Sequence, residues 1–248
     1  MAKIIAVSNH KGGVGKTTSV SNIGAGLALK GKKVLIIDID PQANLSQSFN
    51  INEPEVNIYG ALKSEYELSP VKLQKNLFII PANGELGAAE LELAPEAGRE
   101  FILKELIEPI RHQYDYILLD CPPSLGLLTI NAFTAANEIY IPMQAQYLAL
   151  QGIGKLLGLV DKIQKRLNPG LEITGIFITQ FDKRKVLNRY VMDTLESHFG
   201  EKVFGTRIRN NVALAEAPNS GSDIFNYQPT SIGAEDYKKL VNEILKRN

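Results

Sequence analysis

Near its start the chain reads Ser8-Asn9-His10-Lys11-Gly12-Gly13-Val14-Gly15-Lys16-Thr17-Thr18, a run whose residue types suit the binding of phosphate. Glycines at 12, 13 and 15 let successive backbone N–H groups turn inward on an anion, which larger side chains would obstruct. Lys16 is placed to reach the outer phosphates, and Thr17 to ligate a magnesium ion. The ordinary phosphate-loop pattern, G-x-x-x-x-G-K-[ST], needs a glycine at position 10, where this chain has His10. A second lysine, Lys11, stands immediately before the glycine pair.

Two further clusters supply carboxylates. Asp38-Ile39-Asp40-Pro41-Gln42 follows the apolar run Val34-Leu35-Ile36-Ile37, and Asp120-Cys121-Pro122-Pro123-Ser124 follows Tyr116-Ile117-Leu118-Leu119. Acidic side chains at the carboxyl end of a parallel strand stand at the sheet edge that holds the ligand crevice. From there Asp40 could orient a water in line with a terminal phosphate or support the magnesium shell, while Asp38 could hold the loop network. Asp120 could hold a magnesium-bound water or touch the ion itself. Cys121 has no histidine paired with it and reads as a small, partly buried thiol.

The elements that must carry these clusters alternate in type. Ile4-Ile5-Ala6-Val7 reads as a strand, and Val20, Ile23 and Leu27 recur at helical spacing, so the loop opens a helix whose free amides face the anion. Residues 33–37, 77–81, 116–120, 138–142 and 173–179 read as further strands. Residues 99–110 and 127–136 read as helices, as do residues 148–167, where Leu150, Ile153, Leu157, Val160, Ile163 and Leu167 are in phase before Asn168-Pro169-Gly170 ends the run. A short helix is expected at 58–62, and 43–49 is expected to be a mobile segment that senses the outer phosphate. The stretch 50–76 otherwise carries little pattern. An amphipathic helix is expected at 234–245, with Tyr237, Leu240, Val241, Ile244 and Leu245 on its apolar side, packed on the domain in preference to a membrane. The alternation predicts an α/β fold: a doubly wound parallel sheet with helices on both faces.

With 248 residues and 44% hydrophobic content, the chain is long enough for one substantial core, and one domain over 1–248 is expected. Its single cysteine excludes an internal disulfide and suits a reducing cytoplasm. No signal-type segment or run of membrane-spanning length is seen, so a cytoplasmic protein without stable membrane association is expected. Lysine plus arginine and aspartate plus glutamate balance at 27 each, so any nucleic-acid surface must be local.

Lys-Gly-Gly-Val-Gly-Lys-Thr-Thr at 11–18 resembles the deviant Walker A box of the ParA/MinD family of P-loop ATPases, and most closely its ParA or Soj branch. The likeness runs from about residue 2 to 245 and is specific at 11–18, 38–42, 120–124 and 214–218. It implies a single-domain P-loop NTPase with a mostly parallel twisted sheet of about eight strands. It also implies ATP and Mg2+ as cofactors, held by Lys11, Gly12, Gly13, Val14, Gly15, Lys16, Thr17 and Thr18, with Gln180, Ile208 and Arg209 completing the nucleotide set. Thr17, Asp40 and Asp120 would serve the metal; Lys11, Lys16 and Asp40 would be catalytic. Lys11 would reach across an ATP-dependent homodimer into the partner's site, and residues 82–93 would help form the dimer face.

The resemblance further implies non-specific double-stranded DNA as a ligand, a nucleoid location, and a ParB-like centromere-binding protein that stimulates slow hydrolysis. The densest basic patch is Lys183, Arg184 and Lys185 with Arg189, and Arg207 and Arg209 are further candidates for DNA contact. At 208–218 the chain departs from the family's usual wording: Arg209 replaces a proline, Asn210 an arginine and Ala213 another arginine. The alternatives are a MinD-like positioning ATPase at a membrane, a metabolic or metal-cluster relative, and a non-catalytic nucleotide-gated module. A lone cysteine weighs against the cluster role, and intact Asp40 and Asp120 against the last.

Overall fold

The computed structural model describes residues 2–145 and 149–247. Its seven strands are β1 (Lys3–Val7), β2 (Val34–Asp38), β3 (Val71–Gln74), β4 (Leu77–Ile80), β5 (Tyr116–Asp120), β6 (Glu138–Gln144) and β7 (Glu172–Thr179). They form one sheet in the order β3-β4-β2-β5-β1-β6-β7. Every pairing is parallel except β3 with β4. All five residues of β2 and of β5 are buried, as expected for central parallel strands covered on both faces.

The helices are α1 (Lys16–Leu29), α2 (Asn44–Gln47), α3 (Ile58–Leu62), α4 (Ala89–Glu92), α5 (Ile102–Ile107), α6 (Leu127–Ala135), α7 (Ala149–Arg166), α8 (Val186–Phe199), α9 (Ala213–Glu216), α10 (Ile224–Tyr227) and α11 (Ile232–Arg247). Alternate strand residues feed two cores. Ile5, Val7, Ile36 and Leu118 pack with Val20, Ile23 and Leu27 of α1 and Tyr237, Leu240 and Ile244 of α11. Ile4, Leu35, Ile37 and Leu119 pack with Leu103 of α5, Phe133 of α6 and Val160 of α7. The predicted helix over 234–245 thus lies on α1 with its apolar stripe covered. The predicted start of α7 at Leu148 lies outside the described residues, as does the side chain of Leu150.

Where about eight strands were expected, the structure has seven and a broken row beside β7. Val203 bridges Ile176 and Arg209 bridges Phe181. Between them the backbone N–H groups of Gly205 and Thr206 turn away to Glu243 of α11, at 2.8 and 3.0 Å, so the ladder is interrupted. Two other segments differ from expectation. The helix over 99–110 contracts to α5, and β3 appears within the stretch that showed little pattern.

Gly175 on β7 leaves room for two rings. A Cβ there would lie 2.5 Å from Phe204 and 2.7 Å from Tyr140, which themselves meet edge to face at 5.5 Å. Gly175→Val is expected to destabilise the protein by about 1–3 kcal/mol through overpacking, read as a lower urea midpoint at unchanged slope.

Candidate nucleotide site

The loop after β1 is built by two left-handed glycines, Gly13 at φ 71° and Gly15 at φ 86°, where other residues would be strained. Gly15 is also the N-cap of α1, so the helix's first amides open onto the loop. A Cβ at Gly12 or Gly13 would meet nothing within 4 Å, because both face a cavity of about 580 Å³. Gly12, Gly13, Gly15, Lys16, Thr17 and Thr18 line it together with Asp40, Gln42, Asn44, Pro123 and Gln180, whose Nε2 donates to the Gly13 carbonyl at 3.1 Å. Val14 contributes backbone alone: its side chain is buried in the core and its carbonyl accepts from Thr179 Oγ1 at 2.7 Å.

The carboxylates meet at the carboxyl ends of β2 and β5, where Asp38 stands in register with Asp120. Asp38 is fully buried; its Oδ2 accepts from the Ser46 backbone N–H at 2.9 Å and hydroxyl at 2.7 Å, and its Oδ1 from the Asp40 backbone at 3.2 Å. Burial pushes its pKa from an ordinary 3.8 up to about 6, with the Ser46 bonds opposing the rise. Ser46 lies in α2, so the segment expected to be mobile is a single helical turn pinned at its centre. Asp40 is 6% exposed, reaches the cavity wall, and accepts from the Gln42 backbone at 3.0 Å.

Asp120 is buried, and neither carboxylate oxygen accepts a well-formed hydrogen bond. Burial, then the charge of Asp38, drives its pKa well up, while the neighbouring Thr17 hydroxyl and the Lys16 ammonium pull it down. A buried carboxylate beside Thr17 whose oxygens accept no well-formed hydrogen bond among the described residues fits a hydrated magnesium ion. Among the described residues no group of three or more His, Cys, Asp or Glu could cage a metal, so phosphate and water would supply the remaining ligands. The Cys121 thiol is buried and its pKa is raised by that burial, so it is unreactive.

Comparison with known proteins gives this geometry its context. A family model described as an AAA domain matches residues 2–173. The sporulation initiation inhibitor protein Soj of Bacillus subtilis is 45% identical over 98% of this chain and 98% of its own length. The chromosome-partitioning ATPase Soj of Treponema pallidum is 44% identical over 100% of this chain and 99% of its own. The chain belongs to the Soj/ParA family. Cobyrinic acid a,c-diamide synthase from Mycobacterium smegmatis, solved with ADP and magnesium, superposes with a TM-score of 0.87 at 32% identity, covering 100% of this chain and 95% of that one.

Set against the Soj/ParA resemblance, the remaining residues divide. Lys11 borders the loop but does not line the cavity of its own chain. Its ammonium donates to Gln144 Oε1 at 3.3 Å, and Gln144 in turn donates to the Gly13 carbonyl at 2.8 Å. Gln180, Ile208 and Arg209 come together in a smaller cavity of about 150 Å³ that shares Gly15, Thr18, Gln180 and Leu214 with the larger one. Lys183, Arg184, Lys185 and Arg189 are exposed at the start of α8, and Lys183, Arg184 and Arg209 rim one shallow cavity. Three of the six basic candidates are held by acids: Arg184 by Asp182 at 2.9 Å, Arg207 by Glu196 at 3.5 Å, and Arg209 by Asp236 and Glu235.

Sequence reasoning missed Ser46, Gln144 and Asp236, none of which stands in a motif. In the Soj/ParA loop network, Asp38 is expected to make stability depend on pH. Its folded pKa lies above the unfolded value, so its contribution is complete below about pH 4 and lost as pH rises through about 6. Urea melts of the metal-free protein should lose on the order of 3 kcal/mol across that window through Asp38, and Asp38→Asn should flatten the decline.

Proposed function

We propose that this chain is a nucleotide-timed switch for DNA partitioning. It is an ATPase that hydrolyses Mg-ATP to ADP and phosphate. In its ATP state it closes into a homodimer, binds DNA without sequence preference, and works with a ParB-like partner that stimulates hydrolysis and release. Its place of action is the cytoplasm, on the nucleoid. The observation that carries this reading is the cavity that gathers Gly12, Gly13, Gly15, Lys16, Thr17 and Asp40 in a chain 44–45% identical over nearly its whole length to two Soj proteins.

The residues divide the work as follows. The backbone amides at 12–17 and the N-terminus of α1 cradle the phosphates, and buried Lys16 places its charge against the outer ones. Thr17 and Asp120 would hold a magnesium ion, which would supply positive charge to neutralise the phosphates. Asp40, which lines the same cavity, orients the attacking water. Lys11 of the facing copy completes the charge around the transferring phosphoryl group. Closure joins the basic patches of two chains, which makes DNA affinity depend on the nucleotide. Identity of 44–45% to two Soj proteins, against 32% to the diamide synthase, favours partitioning over a biosynthetic role.

Lys16→Ala is expected to abolish ATP binding, whereas Lys11→Ala should bind ATP and lose turnover; a Lys11 variant with unchanged phosphate release would overturn the trans-acting role. DNA retention should require ATP, fail with ADP, and fall with salt. Alanines at Lys183, Lys185 and Arg189 should weaken it evenly across sequences, with the log–log salt slope reduced by about one per lost phosphate contact. Equal retention with ATP and ADP would remove the switch.

A further inference from the structure

One ion pair holds the wall of the smaller cavity. Arg209 lines that cavity with Gly15 and Thr18 and is bound by two carboxylates of α11, chiefly that of Asp236. Its backbone N–H donates to Asp236 Oδ2 at 2.9 Å, its Nε to Oδ1 and Oδ2 at 3.1 and 2.8 Å, and its Nη2 to Oδ1 at 2.6 Å. Nη2 also donates to Glu235 Oε2 at 2.8 Å. The Asp236 side chain is 4% exposed, so main chain and side chain of Arg209 are both fixed to a desolvated anion. Glu235, at the solvent end, is held ionised by Lys239 and Arg209, its pKa lowered to about 2.

The next residue of α11 ties the other side of the same cavity. Tyr237 is buried, and its hydroxyl lies 3.0 Å from Ser19 Oγ, which donates to the Gly15 carbonyl at 2.6 Å. Consecutive residues of one helix therefore set the distance between the 208–211 segment and the phosphate loop. A nucleotide whose phosphates lie on the loop reaches the smaller cavity past Gly15 and Thr18, where it meets the apolar Ile208 and Leu214 and the carboxamides of Asn210 and Asn211. Apolar faces with a few polar edges suit a purine base.

We infer that Asp236, acting through Arg209, is a positioning residue that fixes the base-side wall and so sets nucleotide affinity and the choice between ATP and GTP. The inference rests on the ATPase reading and adds a residue outside the phosphate loop and both acidic motifs. A wall held by hydrogen bonds discriminates between bases because a displaced wall leaves its polar groups unpaired. Asp236 acts through Arg209, which lines the smaller cavity and not the one lined by Lys16, Thr17 and Asp40, so displacing it is expected to change binding more than chemistry.

The test measures ATP and GTP affinity by calorimetry with magnesium, alongside steady-state phosphate release, for wild type, Asp236→Asn, Arg209→Gln and Arg209→Lys. Asp236→Asn and Arg209→Gln are expected to weaken ATP binding about tenfold and narrow the ATP-to-GTP preference, with KM rising more than kcat falls. Arg209→Lys should recover part of the affinity. Should Asp236→Asn fail to fold, Arg209→Gln decides, since that side chain is 40% exposed. Variants that melt earlier but keep wild-type ATP affinity and base preference would reduce the pair to a fold contact and overturn the inference alone. A wild-type chain that binds no ATP would overturn the ATPase reading and this inference with it.

Discussion

The register of β2 against β5 sets two buried carboxylates side by side at the carboxyl edge of the sheet, and much of the site follows from it. Neither group could stay ionised there without help. Asp38 obtains that help inside the protein, from Ser46 and the Asp40 backbone, and so couples α2 to β2. The Ser46 hydroxyl also accepts from the Ala82 backbone at 2.8 Å, extending the link to the segment after β4. Asp120 accepts no well-formed hydrogen bond among the described residues and faces Thr17 and Lys16. One acid is thus committed to the scaffold, and its neighbour is left for a ligand's charge to complete.

The central part of this arrangement was legible in the sequence because it is local. Each candidate cluster is a short run at the end of an apolar strand, and strand, loop and helix succeed one another within about 30 residues, as the fold class requires. The parts that were not legible depend on distant pairings. Arg209 and Asp236 are 27 residues apart, Lys11 and Gln144 are 133 apart, and no periodicity links them. β3 was hidden for another reason: it has four residues, two of them exposed, and pairs along one side only. The row beside β7 is interrupted where Glu243 takes the backbone donors of Gly205 and Thr206, a pairing that cannot be seen in the composition of residues 203–209.

The described basic surface is less positive than its sequence suggests. Arg184, Arg207 and Arg209 each have an acidic partner, while Lys183, Lys185 and Arg189 are exposed beside Val186, Leu187 and Tyr190. Exposed ion pairs such as Arg184 with Asp182 are weak and exchange readily with a phosphate. The buried pair of Arg209 does not, because separating it would strand Asp236 in the interior. Arg209 is therefore held at the wall of the smaller cavity.

The diversion of Gly205 and Thr206 to Glu243 has a consequence for how copies of the chain meet. Unpaired backbone donors along the last row of a sheet invite another strand to add on, and long exposed edges lead to fibres. Here a carboxylate occupies the donors at one margin, while the opposite margin is a four-residue strand carrying exposed Lys72. Both ends of the sheet are poor templates for strand addition. Copies of the chain held close together are therefore not expected to join sheet edge to sheet edge.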